Sequence, residues 1–118
     1  MTGQSDAREL LAAERASTLG RLGALERELR GIIESAELAG TDDEHDPEGA
    51  TIAFEREHLT ALLDQTRDQL GRVDAALRRV DEGTYGVCEH CGEPIAPARL
   101  EARPTAALCI ACASQSNR

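Results

Sequence analysis

The sequence predicts a mainly α protein: an antiparallel coiled-coil hairpin over residues 1–82, with a small four-cysteine zinc finger and tail over 83–118 at its base. Three observations support this fold class. The apolar residues are mostly Leu and Ala, and the 118 residues include one Phe, one Tyr and no Trp, a composition typical of coiled helices. In two long segments, the positions that would face a partner helix, called the seam below, recur in alternating steps of four and three residues. Four cysteines form two C-x-x-C pairs in the last third of the chain.

The first predicted helix covers residues 5–38, with Ser5 or Asp6 as its N-cap. Its seam positions are Leu11, Arg15, Thr18, Leu22, Leu25, Leu29, Ile32 and Ala36. This seam is apolar in its second half, whereas its first half is poor in apolar residues. Gly20 and Gly23 each cost about 1 kcal/mol relative to Ala inside a helix, so we expect a bend or break close to them.

The second predicted helix covers residues 47–82. Asp46 offers a carboxylate N-cap, and Pro47 suits the first helical position because its missing N–H is not needed there. The seam positions are Ile52, Arg56, Leu59, Leu63, Thr66, Leu70, Val73, Leu77 and Val80. The four-three spacing is kept along the whole helix.

Two heptad helices joined by a short connection are expected to fold back as an antiparallel pair. If the turn centres near residue 46, the numbers of facing residues add to about 92, which places Leu29 opposite Leu63. Pairing between two chains is the alternative. The short acidic connection favours pairing within one chain, and we therefore expect a monomer.

The cysteines have the spacing of a tetrahedral zinc site. The expected ligands of one structural Zn²⁺ are Cys88, Cys91, Cys109 and Cys112, and seventeen residues separate the two pairs. His90 is an alternative ligand in place of one sulfur. Two disulfides would require an oxidising compartment, and a thioredoxin-type redox pair would require a βαβ context that is not visible. Four thiolates close the metal site to water, which indicates a structural and not a catalytic ion.

The charge distribution narrows the function class. The net charge is −9, which argues against free nucleic acid as the main partner. Residues 83–118 carry three acids and three bases, which disfavours sequence-specific DNA binding by the finger. No export signal or membrane-spanning stretch is visible, so we expect a cytoplasmic protein. No nucleophile–base pair is recognisable either, and we do not expect an enzyme.

The expected tip of the hairpin, residues 39–50, carries five acids and no base. The candidate site residues there are Asp42, Asp43, Glu44, His45, Asp46, Glu48 and Ala50. A solvated acidic turn with helix-capping carboxylates is the ordinary interpretation. Held at the end of a stiff arm, however, these carboxylates can approach a Mg²⁺ ion or a basic channel wall.

The finger also carries a longer motif. It reads Gly83-Thr84-Tyr85-Gly86-Val87-Cys88-x-x-Cys91-Gly92, then Ile95, Arg99-Leu100-x-Ala102-Arg103-Pro104-Thr105 and Leu108-Cys109-x-x-Cys112. This motif resembles the DksA/TraR family of transcription regulators, and with the hairpin the resemblance covers nearly the whole chain. It implies a coiled-coil hairpin on a four-cysteine finger, bound in the secondary channel of RNA polymerase with the tip directed toward the active-site Mg²⁺.

The tip departs from the family pattern. The family's active tip is similar to D-x-x-D-x-A, and the matching positions here are His45, Glu48 and Ala50. If the register is shifted by two residues, Asp43 and Asp46 align with the two aspartates of the pattern, and Glu48 stands in place of the alanine. The acidic character is kept while the geometry differs, so a family paralogue with a weak or altered effect on transcription is an alternative.

The resemblance also implies a nucleotide contact. Some family members bind guanosine tetraphosphate together with the polymerase, and Arg72 and Arg103 fall on two of the matching basic positions. The third is Ala113, which is not a base. Solvated or packed arginines are the ordinary interpretation. A different function class is also open, an adaptor whose poorly apolar seam at Arg15 and Thr18 docks a helix of another protein.

Overall fold

The computed structural model describes residues 2–39 and 47–116. They form four helices, α1 (Thr2–Ala39), α2 (Pro47–Glu82), α3 (Pro97–Ala102) and α4 (Ile110–Ser116), and no strand beyond an isolated antiparallel bridge between Val87 and Pro94. None of these four helices combines the length and the apolarity that crossing a bilayer requires. The mainly α prediction is confirmed.

The first helix is longer and more regular than expected. It begins at Thr2, so Ser5 and Asp6 lie inside the helix and the prediction that either caps it is wrong. It also continues through Gly20 and Gly23 without a break. About 1 kcal/mol for each glycine does not end a helix whose seam leucines on both sides are held against a partner helix.

The second helix begins at Pro47, the residue expected at the first helical position. It ends at Glu82, followed by Gly83 in the left-handed region at φ 79°. Asp46, the expected N-cap, lies outside the described residues.

The chain divides into two compact units, one of residues 1–16 with 70–118 and the other of residues 17–69. This division differs from the expected one after residue 82, because the finger groups with the adjoining parts of both long helices. The unit that contains the finger is called the base unit below, and residues 17–69 are called the arm unit.

In the base unit, α1 and α2 pack through a small apolar core. Leu11 and Ala76 are fully buried and Val80 nearly so, with Ala7, Leu77 and Tyr85 packed against them. Two ion pairs flank this core at 2.7 Å, Arg8 with Asp81 and Arg15 with Asp74. Exposed pairs of this kind contribute little free energy, but they mark which residues face each other.

In the arm unit, Leu59, Leu63 and Thr66 of α2 are buried. The Thr66 hydroxyl donates a hydrogen bond to the Leu62 carbonyl at 2.7 Å, which satisfies a polar group on a buried face. Arg67 lies 3.6 Å from Glu26 of α1. The residue numbers of the ion pairs add to 93 here and to 89 in the base unit, so the two helices run antiparallel close to the expected register.

The predicted seams follow the buried and half-buried faces of the helices. Of the seventeen seam positions only Arg56 is exposed. In the half of the first seam that is poor in apolar residues, Thr18 is 2% exposed, whereas the Arg15 side chain is 42% exposed and donates to Asp74 at 2.7 Å. The hypothesis that this half of the seam docks a helix of another protein stays a prediction, although Thr18 is already buried within its own chain.

Candidate metal centre

The finger begins with a helix cap that reverses the chain. The N–H of Gly83 donates to the Val80 carbonyl at 3.2 Å, and the N–H of Thr84 donates to the Arg79 carbonyl at 2.9 Å. These two bonds, with a glycine at positive φ just after the helix, form a Schellman motif. The N–H of Tyr85 donates to the same Arg79 carbonyl at 3.1 Å. The end of α2 therefore fixes where the finger starts.

The first C-x-x-C pair sits in a tight turn. Cys88 donates its N–H to the Glu93 carbonyl at 2.8 Å and accepts from the N–H of Gly92 at 2.9 Å. Gly92 has φ 79°, a conformation that L side chains disfavour. We call this turn, residues 88–93, the first knuckle. The isolated bridge between Val87 and Pro94 closes it at its open end.

The second pair arrives after α3 and leads into α4. The Arg99 Nε–H of α3 donates to the Leu108 carbonyl at 2.9 Å, just before Cys109. The Glu89 N–H of the first knuckle donates to the Ala107 carbonyl at 2.9 Å, which joins the two parts of the finger directly. We call residues 109–112, at the start of α4, the second knuckle.

Folding brings the four predicted metal ligands together. The sulfur atoms of Cys88, Cys91, Cys109 and Cys112 all lie within 4.8 Å of one another. A tetrahedral Zn²⁺ with Zn–S bonds of about 2.3 Å requires S···S separations of about 3.8 Å. The distance from Cys91 Sγ to Cys109 Sγ is 3.9 Å, so the donors fit zinc in type, number and spacing. His90 is exposed and does not belong to this cluster.

The site is half enclosed. Cys88 and Cys112 are 1% and 9% exposed and pack with Ile95, while Cys91 is exposed to solvent. Partly buried Leu100 and Leu108 complete the apolar side of this cluster. Four sulfurs leave no coordination position for water, so the arrangement suits a structural ion that joins two chain segments.

The pKa values of two cysteines are shifted in opposite directions. Backbone N–H groups of Cys91 and Cys109 lower the pKa of the Cys88 thiol to about 6. Hydrogen bonding with the Cys109 side chain, together with burial, raises the pKa of Cys112 to about 12. Without a cation the cluster therefore holds some sulfurs protonated, and a divalent metal must displace those protons to bind all four.

Two further residues attach the finger to α2, and the sequence analysis missed both. The Arg79 side chain is 11% exposed and lies 3.6 Å from the Glu89 carboxylate. Its second terminal nitrogen donates to the Thr105 carbonyl at 3.3 Å. The Tyr85 hydroxyl donates to the Pro104 carbonyl at 2.7 Å, and burial raises its pKa, which keeps it a donor. Nothing in the heptad pattern separates Arg79 from its exposed neighbour Arg78.

The other predicted site residues are only partly described. Asp42, Asp43, Glu44, His45 and Asp46 lie outside the described residues, as does the side chain of Glu48. Ala50 is exposed in the first turns of α2. In the base unit, Arg72 is exposed on α2 and Arg103 is exposed directly after α3, while Ala113 is half-buried in α4.

Comparisons with known proteins agree with this architecture. A family model described as the prokaryotic dksA/traR C4-type zinc finger matches residues 83–118. The RNA polymerase-binding transcription factor DksA of Caulobacter vibrioides is 49% identical over 55 residues, which are 47% of this chain and 39% of that protein. The protein of the same name from Escherichia coli K12 is 45% identical over 69 residues, 56% of this chain and 46% of that one. The matched regions thus span less than half of these curated relatives.

Solved structures extend the likeness beyond the finger. Transcription factor DksA2 from Pseudomonas aeruginosa matches with a TM-score of 0.83 and 30% identity, covering 99% of this chain and 84% of that one. The DnaK suppressor protein from Agrobacterium tumefaciens C58 matches with a TM-score of 0.59 and 28% identity, covering 94% and 91%. The hairpin and the finger both match, and the chain belongs to the DksA/TraR family of zinc-finger proteins.

Proposed function

We propose that this chain is a transcription regulator that binds RNA polymerase directly, as a monomer in the cytoplasm. The observation that carries the proposal is the match over 99% of the chain to a structure named as a transcription factor. Relatives named RNA polymerase-binding transcription factor match 47% and 56% of this chain. One structural Zn²⁺ on the four cysteines holds the finger in this proposal.

The hairpin is the part that enters the polymerase. In our proposal it passes through the secondary channel and directs its tip toward the active-site Mg²⁺. Two features support this. Both long helices continue into the arm unit, and their seam positions there are buried or half-buried except at Arg56, which supports a regular helical carrier. Residues 39–50 between them hold five carboxylates and no base, which suits a metal ion or a basic channel wall.

Carboxylates crowded into twelve residues repel one another, and this mutual repulsion costs stability. The apolar seams and the metal centre supply stability elsewhere, and metal binding can contribute on the order of 10 kcal/mol to a finger of this size. We therefore infer that the acidic cluster persists for function. The acting residues that we propose are Asp42, Asp43, Glu44, His45, Asp46, Glu48 and Ala50.

A binding experiment tests this proposal. A photoreactive residue placed at exposed Ala50 should cross-link to polymerase segments that line the secondary channel, in a complex recovered by pull-down with core polymerase. The same reagent at exposed Ser114 on α4 is the control for nonspecific labelling. Absence of polymerase from the pull-down, or cross-links from Ala50 only to the outer surface, contradicts the proposal. Recovery of another coiled-coil protein instead favours the adaptor function.

We also propose that Arg72 and Arg103 contact guanosine tetraphosphate in the polymerase complex. Both belong to the base unit and both are exposed, and a guanidinium can bind a phosphate through two parallel hydrogen bonds. Titrating the nucleotide against the complex should give weaker binding for Arg103→Ala than for the unchanged chain. If Arg103→Ala and the unchanged chain bind the nucleotide equally well, the nucleotide proposal is wrong, but the proposal of polymerase binding is not affected.

A further inference from the structure

The segment that delivers Cys109 is held by hydrogen bonds from several other parts of the base unit. Five of the six carbonyls from residue 103 to residue 108 accept one. In order, the pairs are Arg103 with the N–H of Ala106, Pro104 with the Tyr85 hydroxyl, Thr105 with Arg79, Ala107 with the N–H of Glu89, and Leu108 with Arg99. Two of these donors, Arg79 and Tyr85, come from α2 and the turn that follows it.

Arg79 contacts the finger on both sides of the metal site. One terminal nitrogen lies 3.6 Å from the carboxylate of Glu89, the residue directly after Cys88 in the first knuckle. The other terminal nitrogen donates at 3.3 Å to Thr105, on the segment that leads to the second knuckle. The backbone carbonyl of Arg79 accepts the bonds that cap α2. One residue thus joins the helix end and the approaches to both cysteine pairs.

The chemistry of arginine suits this position. A guanidinium stays charged at any physiological pH, and its planar fork presents donors in two directions from one rigid group. A buried charge without partners is costly, so the contacts with Glu89 and Thr105 are needed for Arg79 to remain at 11% exposure. A metal that links two separate turns also has to bring them together. Contacts that hold both turns in place before binding reduce that entropic cost.

We propose that Arg79 is a positioning residue of the metal centre. It holds the two knuckles at the separation that four sulfurs around one ion require, and it thereby sets the affinity and the release rate of the bound metal. The proposal does not depend on polymerase binding, because its readouts are properties of the isolated chain.

The test compares two neighbouring arginines of α2. Arg79→Met removes the bridging guanidinium but keeps much of the length of the side chain, and Arg78→Met is the matched control because Arg78 is exposed. We expect Arg79→Met to weaken Co²⁺ and Zn²⁺ binding roughly tenfold, the lower end of the effect of residues that orient metal ligands. That change corresponds to about 1.4 kcal/mol. Arg78→Met should bind both metals like the unchanged chain.

Spectroscopy separates positioning from general instability. The thiolate–cobalt absorption bands should change shape in Arg79→Met, and zinc should transfer faster to a chromogenic chelator. The far-UV circular dichroism of the helices should stay the same. Arg79→Lys should recover part of the affinity, because an ammonium can keep the contact with Glu89 but does not span both partners.

A milder variant covers the case in which Arg79→Met fails to fold. Glu89→Gln weakens one contact of Arg79 while Arg79 keeps its bond to Thr105, and it should speed zinc release. The proposal is overturned if Glu89→Gln, and Arg79→Met where it folds, bind and release the metal like the unchanged chain. An unchanged chain that binds no metal would instead refute the zinc assignment itself.

Discussion

Leu11 is the residue whose truncation tests the packing of the base unit most directly. Its side chain is 0% exposed and packs against Ala76 and Val80 of α2, so it links the two helices. Leu→Ala changes at such sites cost about 2–5 kcal/mol, from lost burial and the cavity left behind. The core here is only one helix pair deep and can partly collapse, so we expect Leu11→Ala to cost about 2–3 kcal/mol.

The chain provides its own probe and its own control for this measurement. Tyr85 is its single tyrosine and packs against the same core, and there is no tryptophan, so tyrosine fluorescence follows unfolding of the base unit in urea. Leu10 is adjacent in sequence but 48% exposed. Leu10→Ala should lower the free energy of unfolding by no more than about 0.5 kcal/mol, as for surface substitutions in general.

A specific pair of results would refute this reasoning. If Leu10→Ala and Leu11→Ala lower the urea midpoint equally, with the same slope, then the helix pair does not pack in the register described. The same conclusion follows if Leu11→Ala costs less than about 0.5 kcal/mol, the range of exposed positions.

Four other outcomes are expected. Because the pKa of Cys88 is lowered to about 6, its thiol is mostly ionised at pH values near 7.5, and zinc binding there should release fewer than four protons. Metal affinity should fall as the pH decreases, because protons compete for the Cys112 sulfur, and the fall should become steeper below about 6, where Cys88 is also protonated. Calorimetry in buffers of different ionisation enthalpy measures both effects, and a pH-independent affinity contradicts them. Gly83→Ala should destabilise the base unit by about 1 kcal/mol or more, because residue 83 has a φ of 79°. Gly20→Ala should stabilise the chain by up to about 1 kcal/mol, because a Cβ at this position inside the helix would meet no other atom within 4 Å; thermal unfolding measures both effects. Asp43→Ala combined with Asp46→Ala should keep the helix content and abolish effects on in vitro transcription; normal regulation by this variant would refute the role that we propose for the tip.

The metal centre and the hairpin have different sources of stability. The seams bury leucines and valines along two helices, and this needs no ligand. The finger has a small core of Cys88, Ile95 and Cys112, two of which are metal ligands. Removing zinc should therefore loosen the finger first, while the arm unit keeps its helices.

Local patterns in the sequence were sufficient for the two long helices and the ligand set. The four-three spacing predicted the buried faces because burial in a helix pair repeats with the helical turn, and Pro47 marked the start of α2 because proline restricts the backbone locally. The C-x-x-C pairs predicted the sulfur cluster for a similar reason, since each pair is a single tight turn.

Only the tertiary structure decided how the finger is attached. Arg78 and Arg79 are indistinguishable in sequence, and the buried one is set by where residues 89 and 105 return to α2. Thr18 looked unsuited to a seam and is nevertheless buried, because the partner helix covers it whatever its polarity. Such outcomes depend on contacts between residues far apart in the chain, and no local pattern in the sequence records them.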